Sequence, residues 1–107
     1  MIFLGRPASS PVDVIKGCAW NAESDTDPVA EKYVLIKEST SVDDLKEMVD
    51  SICVITESGG LLCHAAIVCR ELNIPCIVGV EGILQHVKTG DNLVINLKEG
   101  SVEVINK

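Results

Sequence analysis

His64 is the residue whose neighbours best equip it for chemistry. It follows the pair Gly59-Gly60 and opens a run of small and apolar residues, Ala65-Ala66-Ile67-Val68. A neutral imidazole nitrogen is nucleophilic near neutral pH, and a bond from phosphorus to that nitrogen is labile, so the side chain suits reversible carriage of a phosphoryl group. A helix N-terminus adds unpaired backbone N–H groups and a partial positive charge, both favourable to an anion. The two glycines remove Cβ atoms where the backbone must turn sharply or approach a ligand. The residues by themselves leave two readings open, a phosphoryl acceptor and a structural histidine.

The polar neighbours carry the same two-sided reading. Cys63 either has its thiol pKa lowered by the helix start or fills space as a small residue. Thr56 and Ser58 either reach the phosphate or order the turn. Arg70 lies six positions after the histidine, off its helical face; it either pairs with an acid such as Glu57 or reaches a phosphate brought by a partner. Cys63, His64, Cys69 and Cys76 have the residue types of a metal site. Their spacing, C-H-x4-C-x6-C, matches no zinc pattern, so no metal site is expected. No G-K-[ST] follows the glycines, which excludes a P-loop. His86 has no partner in the sequence and is expected at the surface.

The elements that must position His64 are legible on either side of it. Residues 52–56 are β-branched or apolar and read as a strand running into the glycines. The helix opened by His64 ends near Asn73, because Pro75 forbids its continuation. Residues 76–79 form the next strand. Upstream, residues 5–11 read as a turn-rich start, 12–20 as a first strand, 21–28 as an acidic loop and 33–36 as a buried strand. Ser41 and Asp44 make a weak capping box for a short helix, in which Val42, Leu45, Met48 and Val49 share one face expected in the core. Downstream, residues 82–87 form a turn or short helix. Residues 92–97 alternate as a strand, 98–101 make a hairpin turn and 102–105 pair back. Six or so strands with two main helices predict an α/β domain, its helices covering a mixed sheet.

Composition narrows the function classes. The 107 residues make one domain, residues 1–107, with 47% apolar and only 3% aromatic residues, so Val, Ile and Leu must build the core. A net charge of −7 argues against nucleic acid and against anionic membrane surfaces. No stretch approaches the ~20 apolar residues of a membrane span, and the N-terminus lacks the pattern of a signal peptide. A cytoplasmic location is expected. The five cysteines contain no C-x-x-C pair and are expected reduced, most of them as small buried hydrophobes.

The run from Gly59 to Gly79, G-G-L-L-C-H-A-A-I-V-C-R-E-L-N-I-P-C-I-V-G, resembles the phosphohistidine signature of the PEP-utilising enzymes. That family includes phosphoenolpyruvate synthase, pyruvate phosphate dikinase, enzyme I of the sugar phosphotransferase system and rifampicin phosphotransferase. Its signature reads approximately G-G-x-[ST]-x-H-[AST]-[AS]-I-V-[AS]-R, then E-L-G-I-P-A-[IV]-V-G. Residues 5–9, G-R-P-A-S, look like the opening of the same domain, and residues 89–105 like its closing hairpin; residues 20–50 match only in outline.

The resemblance implies the swivelling β/β/α fold of the mobile phosphohistidine domain, with mixed sheets and a few covering helices. It implies that His64 accepts and donates the phosphoryl group, with Gly59 and Gly60 as the glycines of its loop and Cys63, Thr56 and Arg70 as supporting residues. It also implies partners: an ATP-grasp-type nucleotide-binding domain and a PEP/pyruvate-binding barrel. ATP or PEP, with Mg²⁺, would be bound there, and no cofactor by this domain. Neither partner is present in 107 residues, so complete PEP synthesis by this chain alone is excluded. Leu62 stands where the dikinases have the threonine targeted by their regulatory kinase, so that control is not expected. Cys63 stands where serine or threonine is frequent, and its thiol is a weaker hydrogen-bond donor. Ser10-Pro11 replaces the usual P-G. The altered Leu62-Cys63 pair keeps a rival expectation in view, a non-catalytic regulatory or scaffolding module built on the same domain.

Overall fold

A computed structural model describes residues 1–105; the expected domain end at Lys107 lies outside them. Eight strands form one hydrogen-bonded series: β1 (Ile2–Leu4), β2 (Arg6–Ser9), β3 (Val14–Asn21), β4 (Val34–Lys37), β5 (Cys53–Thr56), β6 (Cys76–Val78), β7 (Asn92–Asn96) and β8 (Ser101–Val104). The helices are α1 (Leu45–Asp50), entered through a 3-10 turn at Val42–Asp44, α2 (His64–Leu72) and α3 (Ile83–His86). The lateral order is β1-β8-β7-β3-β4-β5-β6-β2. Strands β3, β4, β5 and β6 run parallel, and the remaining pairings are antiparallel.

The two ends of that order, β1 and β2, are one stretch of chain broken only at Gly5. Strand β3 is also shared: residues 14–18 pair with β7, and residues 19–21 pair with β4. The series therefore folds into two facing sheets joined by strands that bend from one into the other. Glycines sit where the backbone crosses. A Cβ at Gly5 would lie 2.5 Å from Val80 Cγ2 and 2.7 Å from the Val78 carbonyl, and one at Gly17 would lie 2.5 Å from Ile52 Cδ1. Strand alternation then makes two cores. Val34, Ile36, Cys53, Ile55 and Ile77 face inward between the sheets and meet Leu93, Ile95 and Val102. Leu35, Val54, Cys76 and Val78 point the other way, under Met48 of α1 and Ala65, Ala66 and Cys69 of α2. The layers are sheet, sheet and helices, the β/β/α order expected.

Three local expectations are corrected. Residues 5–11 are not all turn, since Arg6–Ser9 is a strand paired with β6 and residues 2–4 form a strand that sequence reading did not assign. Both are short and contain or abut Gly and Pro, which local propensity reads as turn. The acidic loop begins one residue later than expected. Asn21 ends β3, is buried, and donates from Nδ2 to the Leu84 and Val87 carbonyls at 3.0 and 2.8 Å. The third correction concerns α1. Its capping box forms, but of its apolar stripe only Met48 is buried, whereas Val42, Leu45 and Val49 are exposed. Met48 and a hydrogen bond from the Tyr33 hydroxyl to the Glu47 carbonyl at 2.8 Å tie this short helix to the sheet, and the other apolar residues face solvent. No helix of the described residues is long and apolar enough to cross a membrane.

Candidate functional site

β5 delivers the chain to the glycine loop at Thr56, and α2 begins at His64. The loop is fixed by hydrogen bonds from both sides. Glu57 N donates to the Lys37 carbonyl and Ser58 N to the Glu38 carbonyl, both at 3.0 Å. Ser58 Oγ donates to the same Glu38 carbonyl at 2.8 Å. Thr56 is buried, and its hydroxyl donates to the Ser58 carbonyl at 2.8 Å, so its observed task is to order the turn. Arg70 pairs with no acid among the described residues. Its guanidinium donates to the Leu61 carbonyl at 2.7 Å and to the Ala8 carbonyl at 3.3 Å, clamping the loop to β2.

The two glycines have different reasons to be glycine. Gly59 adopts a φ of +105°, and a Cβ there would lie 2.9 Å from Cys63 Sγ, so the backbone requires it. Gly60 has no positive φ, and a Cβ there would meet nothing within 4 Å. The space beside it is open. Cys63 is the N-cap of α2 and makes no side-chain capping bond. The N–H groups of the first turn of α2 have no carbonyl one helical turn back within the helix to bond. The helix ends as read from the sequence: Asn73 is left-handed with φ 61°, where the family signature has glycine, and asparagine is the residue that best tolerates that conformation after glycine.

His64 is half-buried, and its Nδ1 lies 2.9 Å from Thr40 Oγ1. Sequence reasoning missed Thr40, which is 24 residues away. The link comes from pairing: β4 and β5 are parallel, with Lys37 opposite Thr56, so the loops leaving their C-terminal ends lie side by side. The C-terminal ends of parallel strands are where α/β sheets place ligands. The contact engages Nδ1 and not the second ring nitrogen, Nε2.

Other candidates separate from this centre. A cavity of about 720 Å³ is lined by Arg6, Glu38, Glu57, Ser58, Gly59 and Glu81 among others, but not by His64, and its carboxylates disfavour a phosphate. No group of three or more His, Cys, Asp or Glu residues among those described is arranged to hold a metal. Cys53, Cys69 and Cys76 are fully buried. Burial pushes the Cys53 thiol pKa up. The Cys76 thiol is raised by its hydrogen bond with Cys69 and by burial, and that same bond lowers Cys69. His86 is exposed as expected, its Nδ1 2.9 Å from the Gly82 carbonyl and its ring stacked at a tilt on Phe3.

Comparison with known proteins places the geometry in a family. Residues 29–100 match the model described as "PEP-utilising enzyme, mobile domain". Phosphoenolpyruvate synthase of Helicobacter pylori is 34% identical over 100 residues, which is 94% of this chain and 12% of that protein. The phosphoenolpyruvate synthase of Pyrococcus furiosus is 37% identical over 79 residues, 74% of this chain and 10% of that protein. The solution structure of an Enzyme I protein (nEIt) superposes with a TM-score of 0.60 at 32% identity, covering 71% of this chain and 32% of that one. The chain thus spans only about a tenth of the length of these two synthases.

Proposed function

The chain belongs to the mobile-domain family of the PEP-utilising enzymes, and from that premise we propose that it is a phosphoryl carrier acting through His64. The observation that carries this reading is the 2.9 Å contact between Thr40 Oγ1 and His64 Nδ1. In the neutral imidazole with its proton on Nδ1, that N–H donates to the threonine hydroxyl, and Nε2 keeps its lone pair. Nε2 attacks the phosphorus of a donor; the P–N bond forms as the bond to the leaving oxygen breaks, and the leaving group takes that electron pair. In the return step an acceptor oxygen attacks the phosphorus and the P–N bond breaks back to neutral imidazole. Thr40 holds the ring through both steps. The open space at Gly60 and the unpaired N–H groups at the start of α2 suit the charge of the bound phosphoryl group. Thr56, Ser58 and Arg70 contribute by holding the loop still.

The donor and acceptor sites belong, in this reading, to partner domains or proteins: an ATP-grasp-type nucleotide-binding one and a PEP/pyruvate-binding one, with Mg²⁺ bound beside the ATP or PEP. The test is incubation with Mg²⁺ and ATP or PEP in a cell extract of the source organism, followed by intact mass measurement. The expected result is a gain of one phosphate, stable in alkali and lost in acid, that is absent from His64→Asn. Equal labelling of His64→Asn would overturn the proposal. So would a wild-type chain that no donor labels, the outcome expected of a non-catalytic module.

A further inference from the structure

Cys69 and Cys76 form a matched pair that phosphoryl carriage by His64 leaves unused. Both are fully buried in the core under α2, one on the helix and one on β6, and their free thiols are hydrogen-bonded to each other. The family signature has alanine or serine at the first position and alanine at the second. This chain therefore carries a thiol on both sides of one contact. A small buried residue accounts for either cysteine alone, but packing does not require that two of them meet.

The backbone fixes the two residues around a tight turn. The Cys69 carbonyl accepts from the Asn73 N–H and, at 2.8 Å, from the Ile74 N–H, so the chain doubles back at the end of α2 and enters β6 at Cys76. Ser9 ties the same two points from the neighbouring strand. It is the register partner of Cys76, and its hydroxyl donates to the Cys69 carbonyl at 3.4 Å. A disulfide forms only where the backbone already brings two sulfurs together, and here the turn and β2 both do so. The bond between the thiols also lowers the pKa of Cys69, against the effect of burial, and so favours the thiolate that attacks an oxidant.

We propose that Cys69 and Cys76 are a redox-active dithiol, closed to a disulfide by hydrogen peroxide and reopened by a small thiol. The Cys69 sulfur attacks one peroxide oxygen and the O–O bond breaks. Cys69 becomes a sulfenic acid, and the departing hydroxide takes up the proton that its thiol gave up. The Cys76 sulfur then attacks the Cys69 sulfur; the S–S bond forms, the S–O bond breaks, and the oxygen leaves as water with the Cys76 proton. In sum the two thiols lose two hydrogens and two electrons, and the peroxide is reduced to two waters. Burial excludes bulky oxidants, whereas hydrogen peroxide, close to water in size, enters when the end of α2 opens locally. The closed form fastens α2 covalently to β6. His64 opens that helix, and Arg70, next to Cys69, clamps the Leu61 carbonyl of the glycine loop. The dithiol therefore sets how firmly the histidine-bearing unit is held, whether or not His64 carries a phosphoryl group.

The test treats the reduced full chain with about two equivalents of hydrogen peroxide, blocks remaining thiols with iodoacetamide and digests with trypsin. Trypsin cleaves after Lys46, Arg70 and Lys88. Cys76 is then the one cysteine of residues 71–88, while Cys53, Cys63 and Cys69 share residues 47–70. The expected product is a disulfide-linked pair of these peptides from a chain that stays monomeric on a non-reducing gel. The link is expected to vanish on reduction, to be absent from Cys69→Ala and Cys76→Ala, and to persist in Cys53→Ala and Cys63→Ala. Alanine belongs to the family signature at both positions of the pair, so neither variant threatens the fold. Oxidation is expected to raise the urea midpoint of the wild-type chain by about 1 M and to leave that of Cys69→Ala unchanged. A link that persists in Cys69→Ala, or disappears in Cys63→Ala, would assign the disulfide to other residues and overturn the proposal. So would a wild-type chain that forms no link, or forms one only between separate chains. An unchanged or lowered midpoint in the linked chain would overturn the fastening of α2.

Discussion

Helices α1 and α2 lie over the same sheet face and cover the same core, yet they use it in opposite ways. α2 turns Ala65, Ala66 and Cys69 inward, all buried, so its backbone approaches the sheet closely and its N-terminus is held at a fixed height above the glycine loop. α1 turns one residue inward, Met48, and leaves Val42, Leu45 and Val49 in solvent. Small side chains locate a helix accurately, because little rotamer freedom remains at the contact. A single flexible methionine fills the gap it is given and holds the helix less rigidly. The histidine opens the accurately placed helix, and the threonine that orients it belongs to the segment leading into the other. Their contact at Thr40 and His64 is where the rigid and the adaptable element meet.

Breaking each side of that contrast should give effects of different size. Met48→Ala removes the sole buried residue of α1, and a drop of about 3 kcal/mol in unfolding free energy is expected by urea titration. A change under 0.5 kcal/mol would show that α1 is held by something other than this side chain. Ala66→Leu forces the other helix off the sheet; about 2 kcal/mol of destabilisation is expected, together with slower labelling of His64. Unaltered stability would mean that α2 is not closely packed. Thr40→Val keeps shape but removes the hydrogen bond at the junction, a loss of about 1.4 kcal/mol that reads as roughly tenfold slower phosphoramidate labelling with unchanged stability. A Thr40→Ser variant restores the bond and should recover most of the rate.

Acid–base behaviour gives a smaller, graded test of the core between the sheets. Burial raises the thiol pKa of Cys53 in the folded state, so it stays protonated while the unfolded thiol ionises. The unfolded state then binds fewer protons, and stability is fully present below about pH 8.5 and declines as pH rises above it. A urea midpoint that rises between pH 8 and 10 would contradict the burial of this sulfur. The smallest effect is expected from Val49→Ser, which should alter stability by no more than about 0.5 kcal/mol because the side chain already faces water.

The sequence by itself determined the unit that carries the histidine. Strand β5, the required Gly59, the start of α2 at His64 and its stop at Asn73 before Pro75 are all local matters: β-branched runs, a residue without Cβ, helix formers, and a ring that blocks the next turn. Local backbone preference reports such features directly, and the family resemblance rested on the same stretch. Only the tertiary structure decided what surrounds that unit. Thr40 reaches His64 because β4 and β5 pair in parallel with their ends in register, a relation no window of sequence contains. The outward stripe of α1 could not be distinguished from an inward one, since periodicity defines a face without saying which way it points. Arg70, left between an acid and a phosphate, took two carbonyls that folding brought together from residues 9 and 62 positions away in the chain. The strands at residues 2–9 exist because neighbours from distant parts of the chain supply their hydrogen bonds, and Gly5 and Gly17 are explained by atoms that only the folded chain puts beside them. Short-range propensity shapes each element; long-range pairing decides which side chains meet at the ring.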